Sequence, residues 1–309
     1  MLNFSKTTLL VAFTLIIFSH NTLANFTKLT NLEVNPGELT ASYFIGESNN
    51  KNLAVLLHGC VQSGEVLAEQ SGLLGLAKTH GFSLLIPQQS QGNNIKGCFN
   101  WFSEQDTNKD SGETLSIVSM ISMLKQKHSI ENVYIVGLSA GGAMASSLLI
   151  HYPELFTAGA VVAGIPYPCA NNLIKAIACM RAGPSQTEQV LTKEIKDVIE
   201  KGKSLPKLSV WTGKADKIVN ALNSQRLATS WSEISVPNAS PVKTSHQGYQ
   251  VTQWLDKANQ PYVQLIELDD LGHGMAVNAI ELSGGKTADF LLAAPISAAK
   301  SIVNFWQIN

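Results

Sequence analysis

The stretch Val133-Tyr134-Ile135-Val136-Gly137-Leu138-Ser139-Ala140-Gly141-Gly142-Ala143-Met144-Ala145-Ser146-Ser147 decides the fold. Four apolar residues with strong β preference run into Gly-x-Ser-x-Gly, and small residues of helical preference leave it. A serine presented at so sharp a strand-to-helix turn sits in strained backbone, and the flanking glycines keep side chains out of the bend. The pentapeptide alone is a weak signal. Its strand-turn-helix setting makes Ser139 a candidate nucleophile.

Outward from this turn, short apolar runs at 53–57, 82–86, 133–136, 158–163, 208–211 and 262–268 read as buried strands. Segments of helical period lie at 65–78, 113–127, 142–151 and 220–232. Their alternation predicts an α/β fold with a mainly parallel central sheet covered by helices on both faces, and the serine turn makes that fold an α/β-hydrolase. Residues 28–44 can supply one or two antiparallel edge strands, and 296–306 a closing helix. Residues 167–206 break the alternation and read as a small insertion near the serine. With no repeat, low-complexity tract or linker, 25–309 is expected to form a single catalytic domain.

Composition narrows the partners. Of 309 residues, 45% are hydrophobic and 15% charged, and the formal net charge is -1. That supports a large core and supplies no bulk field for nucleic acid or an anionic membrane, so binding rests on a local site. Lys6 followed by the apolar run Leu9 to Phe18 and by Thr22-Leu23-Ala24 is a signal-peptide pattern for residues 1–24, too short to span a bilayer, with cleavage near Ala24. A secreted or periplasmic protein without stable membrane insertion is expected. Cys60, Cys98, Cys169 and Cys179 then belong to an oxidising compartment. Of three possible pairings, Cys60–Cys98 with Cys169–Cys179 is preferred. Their spacing fits no metal pattern, and no metal or cofactor is implied.

A serine hydroxyl attacks a carbonyl only when a base takes its proton and a third group orients that base. In this fold the chain order is Ser, acid, His. His273, in Leu271-Gly272-His273-Gly274 just after the last expected strand, is the candidate base, whereas His246 sits in a polar stretch and reads as a solvated loop residue. Asp216 follows the strand at 208–211 through a short turn, at the end of the sheet where ligands gather. Asp269 and Asp270 compete for its role by sequence proximity alone. The two donors for a developing oxyanion are expected from the backbone N–H of Ala140 and from the His58-Gly59-Cys60-Val61-Gln62 loop, at Cys60 N–H. His58 is expected to support that site beside the substrate. A Cys60–Cys98 disulfide would brace the loop.

The segments Leu57-His58-Gly59-Cys60-Val61-Gln62, Cys98-Phe99-Asn100-Trp101-Phe102, Gly112-Glu113, Gly137 to Met144, Ala163-Gly164-Ile165-Pro166-Tyr167-Pro168-Cys169-Ala170, Trp211 to Asp216 and Gly272-His273-Gly274 follow one another in the order of a known family. The chain resembles the secreted polyhydroxybutyrate-depolymerase-like esterases, which include feruloyl and acetylxylan esterases. The resemblance implies an α/β-hydrolase fold, hydrolysis of a small or oligomeric ester and a Ser139, Asp216, His273 triad, and it suggests that Trp101 borders the substrate. Members that attack solid granules usually carry a linker and a binding domain. Without those features here, a soluble oligomer or small ester suits the sequence at least as well as solid polyester, and feruloyl or acetyl groups on polysaccharide are the alternative.

Overall fold

Alternation of side chains along the strands sorts the apolar residues into two cores, one on each face of a sheet. The computed structural model describes residues 26–308 except residue 48, so the leader expected at 1–24 lies outside the described residues. In chain order the elements are β1 (Thr27–Lys28), β2 (Thr40–Phe44), β3 (Asn52–Leu57), α1 (Gly64–Gln70), α2 (Leu73–His80), β4 (Ser83–Gln88), α3 (Glu104–Thr107), α4 (Gly112–His128), β5 (Asn132–Leu138), α5 (Ala140–His151), β6 (Ala158–Val162), α6 (Leu173–Ala182) and α7 (Glu188–Val198). They continue with β7 (Lys207–Gly213), α8 (Leu222–Ser235), β8 (Val242–His246), β9 (Tyr249–Leu255), β10 (Pro261–Leu268), β11 (Met275–Val277), β12 (Leu291–Ala293) and α9 (Ala298–Trp306).

Ten strands form one sheet in the order β1-β2-β4-β3-β5-β6-β7-β10-β9-β8. From β4 to β10 neighbouring strands are parallel, while β1 and β2 at one edge and β9 and β8 at the other are antiparallel. On one face Leu53, Val55, Leu57, Val133 and Ile135 pack with Ile117, Met120, Ile121 and Leu124 of α4 and with Leu227 and Trp231 of α8. On the other, Ala54, Leu56, Tyr134, Val136 and Leu138 meet Leu67, Leu74 and Leu76 of α1 and α2 and Ile302, Val303 and Trp306 of α9. Each fully buried Leu, Ile or Val contributes about 1.5–3 kcal/mol. No helix among the described residues is long and apolar enough to cross a membrane.

The structure departs from the sequence expectation in two of these elements. The helix expected over 65–78 is two helices, because Gly72 adopts φ +90° at the junction and a Cβ there would meet Ser283 O at 2.2 Å. The segment holding His246 is no loop: β8 and β9 form an antiparallel hairpin that extends the sheet, and the His246 ring stacks on Tyr249. Every residue of β8 is exposed, so the edge strand carries no buried face for a pattern to reveal. The insertion at 167–206 folds as α6 and α7, and Cys169 and Cys179 pack beside Ala143 in the first turn of α5.

Candidate active site

The turn between β5 and α5 holds Ser139 at φ +55°, ψ −118°, a conformation that costs energy for any residue with a Cβ. Two glycines make it possible. A Cβ on Gly137 would lie 2.1 Å from Gly141 O, and one on Gly141 would lie 2.3 Å from Leu57 O. Ser139 N–H donates to Val162 O at 2.9 Å, and its carbonyl accepts from Ala143 N–H at 3.0 Å, so the strained residue is fixed from both sides. Its hydroxyl is left half-buried at the carboxyl end of the sheet.

His273 Nε2 lies 2.9 Å from Ser139 Oγ, and His273 Nδ1 lies 2.7 Å from Asp216 Oδ2. The second oxygen of Asp216 accepts from Ile218 N–H at 2.8 Å and Val219 N–H at 2.9 Å. With Oδ1 so occupied, Oδ2 is the acceptor for Nδ1–H, which leaves the Nε2 lone pair facing the serine hydroxyl. The Asp216 side chain is fully buried. The loops carrying acid and base are stitched together: Lys214 N–H donates to Leu268 O at 2.8 Å and Ala215 N–H to Leu271 O at 3.2 Å. Asp269 instead pairs with Lys214 at the surface, 2.8 Å away, and Asp270 is exposed.

Gly59 brings the loop after β3 onto the nucleophile, since a Cβ there would stand 3.3 Å from Ser139 Cβ. Cys60 follows, disulfide-bonded to Cys98; the second bridge joins Cys169 to Cys179. Among the described residues neither Cys60 N–H nor Ala140 N–H, at the start of α5, has a hydrogen-bond partner. An unpaired N–H at a helix start is a ready donor to an anion. Next to Cys60, the β-branched Val61 is held at φ +57° with its N–H on Lys96 O at 2.8 Å, a second strained residue in the same small volume. The arrangement can take a proton from Ser139 and hold negative charge on an attacked carbonyl.

His58 requires a correction. Expected beside the substrate, it is completely buried and packs against Phe99. Its Nδ1–H donates to Gly59 O at 2.7 Å and its Nε2 accepts from Gln89 N–H at 3.1 Å, so no ring nitrogen is free for a ligand. Burial lowers its pKa and keeps the imidazole neutral, as that pattern requires. It supports the Cys60 loop from below. Trp101 is half-buried, edge-on to Phe102, and packs on a cluster of Ala143, Ile165, Cys169, Cys179 and Val219. That cluster joins the first turn of α5 to the insertion and to the loop holding Asp216.

Two residues given no role on sequence grounds belong to this frame. Gln62 Oε1 accepts Gly59 N–H at 2.8 Å. Glu113, in the first turn of α4, is wholly buried below the loop containing Cys98. Its signal was in the sequence: Ile117, Met120, Ile121 and Leu124 fall on its own helix face, so the heptad pattern places a carboxyl where the core-facing side chains are apolar.

The disulfide gives a direct prediction. Cys60→Ser with Cys98→Ser opens a bridge across a sequence separation of 38, worth about 4 kcal/mol in loop entropy of the unfolded chain. Urea denaturation should show that loss. Turnover should fall by about tenfold in the protein that remains folded, because Cys60 N–H loses its brace. Unchanged turnover would show that the other contacts of the loop suffice.

Residues 45–236 match the family described as Esterase PHB depolymerase. The chain is 32% identical over 283 residues to poly(3-hydroxyalkanoate) depolymerase C of Paucimonas lemoignei, covering 88% of this chain and 67% of that one. It is 21% identical over 265 residues to probable acetylxylan esterase A of Aspergillus flavus, with 82% and 85% covered. Among solved structures, acetyl xylan esterase from Aspergillus awamori superposes with a TM-score of 0.74 at 18% identity, over 92% of this chain and all of that one, which shows the shared fold. The chain therefore belongs to the Esterase PHB depolymerase family and is a carboxylic-ester hydrolase of the α/β-hydrolase fold.

Proposed function

We propose that this esterase works through an acyl-enzyme on Ser139. His273, oriented by Asp216, takes the Ser139 proton as Oγ attacks the ester carbonyl, and the carbonyl π pair moves onto oxygen. The N–H groups of Cys60 and Ala140 hold that oxyanion. His273 then returns the proton to the departing alcohol, and water releases the acid by the same steps in reverse order. The observation that carries this reading is the unbroken hydrogen-bonded line Ser139–His273–Asp216 beside two open N–H donors.

The substrate proposed is a hydroxyalkanoate ester chain, as oligomer or polymer. The relative with 32% identity is named a poly(3-hydroxyalkanoate) depolymerase. In addition Val61, Ile95, Leu173, Ile174, Ile177 and Ile218 are exposed on segments that follow β3, β4, β6 and β7, all at the end of the sheet where Ser139 lies. Apolar side chains gathered at one end suit an apolar polyester chain. Trp101 forms part of the wall. Both disulfides fit an exported protein, with 1–24 removed and 25–309 as one catalytic domain.

De-acylation of polysaccharide is the second reading, on the strength of the acetylxylan esterase relative. Turnover of soluble 3-hydroxybutyrate oligomers, acetylated xylan and methyl ferulate by the same preparation decides between them. The oligomers should give the highest kcat/KM, by tenfold or more, roughly the discrimination one fitted apolar contact provides. Preference for acetylated xylan or methyl ferulate overturns the hydroxyalkanoate assignment.

A further inference from the structure

The Glu113 carboxylate is wholly buried, yet three N–H groups point at its two oxygens. Gln89 Nε2 donates to Oε1 at 2.5 Å, Asn100 Nδ2 to Oε1 at 2.8 Å, and Asn100 backbone N–H to Oε2 at 2.8 Å, while Asn93 Nδ2 donates to Gln89 Oε1 and Gly37 O, both at 2.9 Å. Burial raises the pKa of this carboxyl, with the nearby Asp106 charge acting in the same sense, while the hydrogen bonds from Asn100 and Gln89 oppose the rise; every contact to its oxygens comes from a donor, the pattern an ionised carboxylate accepts. Its place at the start of α4 also favours negative charge. A buried carboxylate with so many donors costs desolvation energy, and no salt bridge offsets it among the described residues. Its donors form a cradle that is tied to the rest of the site.

Each donor leads to the oxyanion loop or to the substrate wall. Gln89 carries the backbone N–H that fixes His58 Nε2, and His58 in turn holds Gly59 O. Asn100 is the residue before Trp101. Its Oδ1 accepts from Asn94 Nδ2 at 2.8 Å, and Asn94 Oδ1 accepts the N–H groups of Lys96 at 3.0 Å and Cys98 at 3.3 Å. Lys96 O receives Val61 N–H, and Cys98 is bridged to Cys60. Three separate links, through His58, Lys96 and the disulfide, therefore run between the Glu113 cradle and residues 58–61.

We propose that Glu113 is a positioning residue for ester hydrolysis, whose carboxylate fixes the loop at 89–100 and thereby sets the direction of Cys60 N–H and the place of Trp101. It touches no substrate. The inference rests on the reading of Ser139 as nucleophile and Cys60 N–H as oxyanion donor. A change at Glu113 should then weaken the tetrahedral state far more than the ground state, a pattern that a general loss of stability does not give.

The test uses Glu113→Gln, which keeps shape and replaces one acceptor oxygen by an N–H donor facing other donors. Turnover of p-nitrophenyl butyrate is measured beside the affinity of an alkyl trifluoromethyl ketone. Ser139 Oγ adds to that ketone, its proton passes to His273 and the new oxyanion lies at the Cys60 and Ala140 N–H groups. In folded E113Q, checked by circular dichroism and its melting curve, kcat is expected to fall about 10- to 100-fold, short of removing a donor outright, with KM within about twofold. Affinity for the ketone should fall by the same factor as kcat/KM. Asn100→Ala, at a half-buried position, provides a milder version should E113Q not fold: both quantities drop together, by about three- to tenfold. Ketone affinity within twofold of the wild type in the folded variants, whether or not activity falls, overturns the proposal. Ser139→Ala separates the two failures: if that variant stays active the nucleophile assignment is wrong, and if it is dead while E113Q or N100A keeps ketone affinity, only the role of Glu113 is lost.

Discussion

Replacing Ser139 by alanine is expected to reduce turnover of p-nitrophenyl butyrate by about 10⁵- to 10⁶-fold, with the fold and melting temperature little changed. The magnitude follows from what remains. Without Oγ there is no acyl-enzyme, and His273 has no serine proton to take. The N–H groups of Cys60 and Ala140 still bind an oxyanion, so a residual rate above that of water persists. Alanine also relieves little strain, because φ +55° is unfavourable for any side chain bearing a Cβ, and the flanking Gly137 and Gly141 keep the turn closed. Labelling by a fluorophosphonate, which reacts with an activated serine oxygen, should vanish in the same variant. Turnover within tenfold of the wild type, or retained labelling, sinks the assignment.

Asp216→Asn should be almost as damaging, with kcat lowered by about 10⁴-fold and KM nearly unchanged. The reason lies in which oxygen does what. Oδ1 is committed to the Ile218 and Val219 N–H groups, so an asparagine keeps its oxygen there and turns its NH₂ toward His273. The imidazole must then accept at Nδ1 and carry its proton on Nε2. In that tautomer it donates to Ser139 Oγ and cannot take the serine proton. The change is almost isosteric, so a stable, folded protein with the wrong tautomer is expected. The downfield proton resonance of a buried Nδ1–H should disappear with the activity. A D216N enzyme within tenfold of wild-type kcat would show that another group orients the base.

The legible part of this protein was its periodic part. Apolar runs at 53–57 and 133–136 could be read as strands because both faces of each are covered, and the observed β3 and β5 extend them by only a few residues. The closing helix showed itself through residues such as Ile302, Val303 and Trp306, which turn one face to the second core. β8 escaped because all five of its residues face solvent, leaving no alternation to read. Glu113 escaped for the opposite reason. Its pattern was visible, but a buried carboxyl has meaning only with its donors, and Gln89 and Asn100 are 24 and 13 residues away.

His58 illustrates the limit most directly. Its place at the end of β3 marked the oxyanion loop, yet the side of the loop it occupies depends on Gln89, 31 residues on, and on the Phe99 ring. Sequence by itself determined the strand-turn-helix at Ser139, the alternation that builds the sheet and the strand ends where an acid and a base could stand. Those features depend on local conformation and on the period of apolar residues. Tertiary structure decided which carboxylate faces His273, that His58 is sealed beneath the loop, and that Glu113 underlies it. The contacts concerned join groups 57 residues apart for His273 with Asp216 and 134 apart for His273 with Ser139, and packing alone brings such groups within hydrogen-bonding distance.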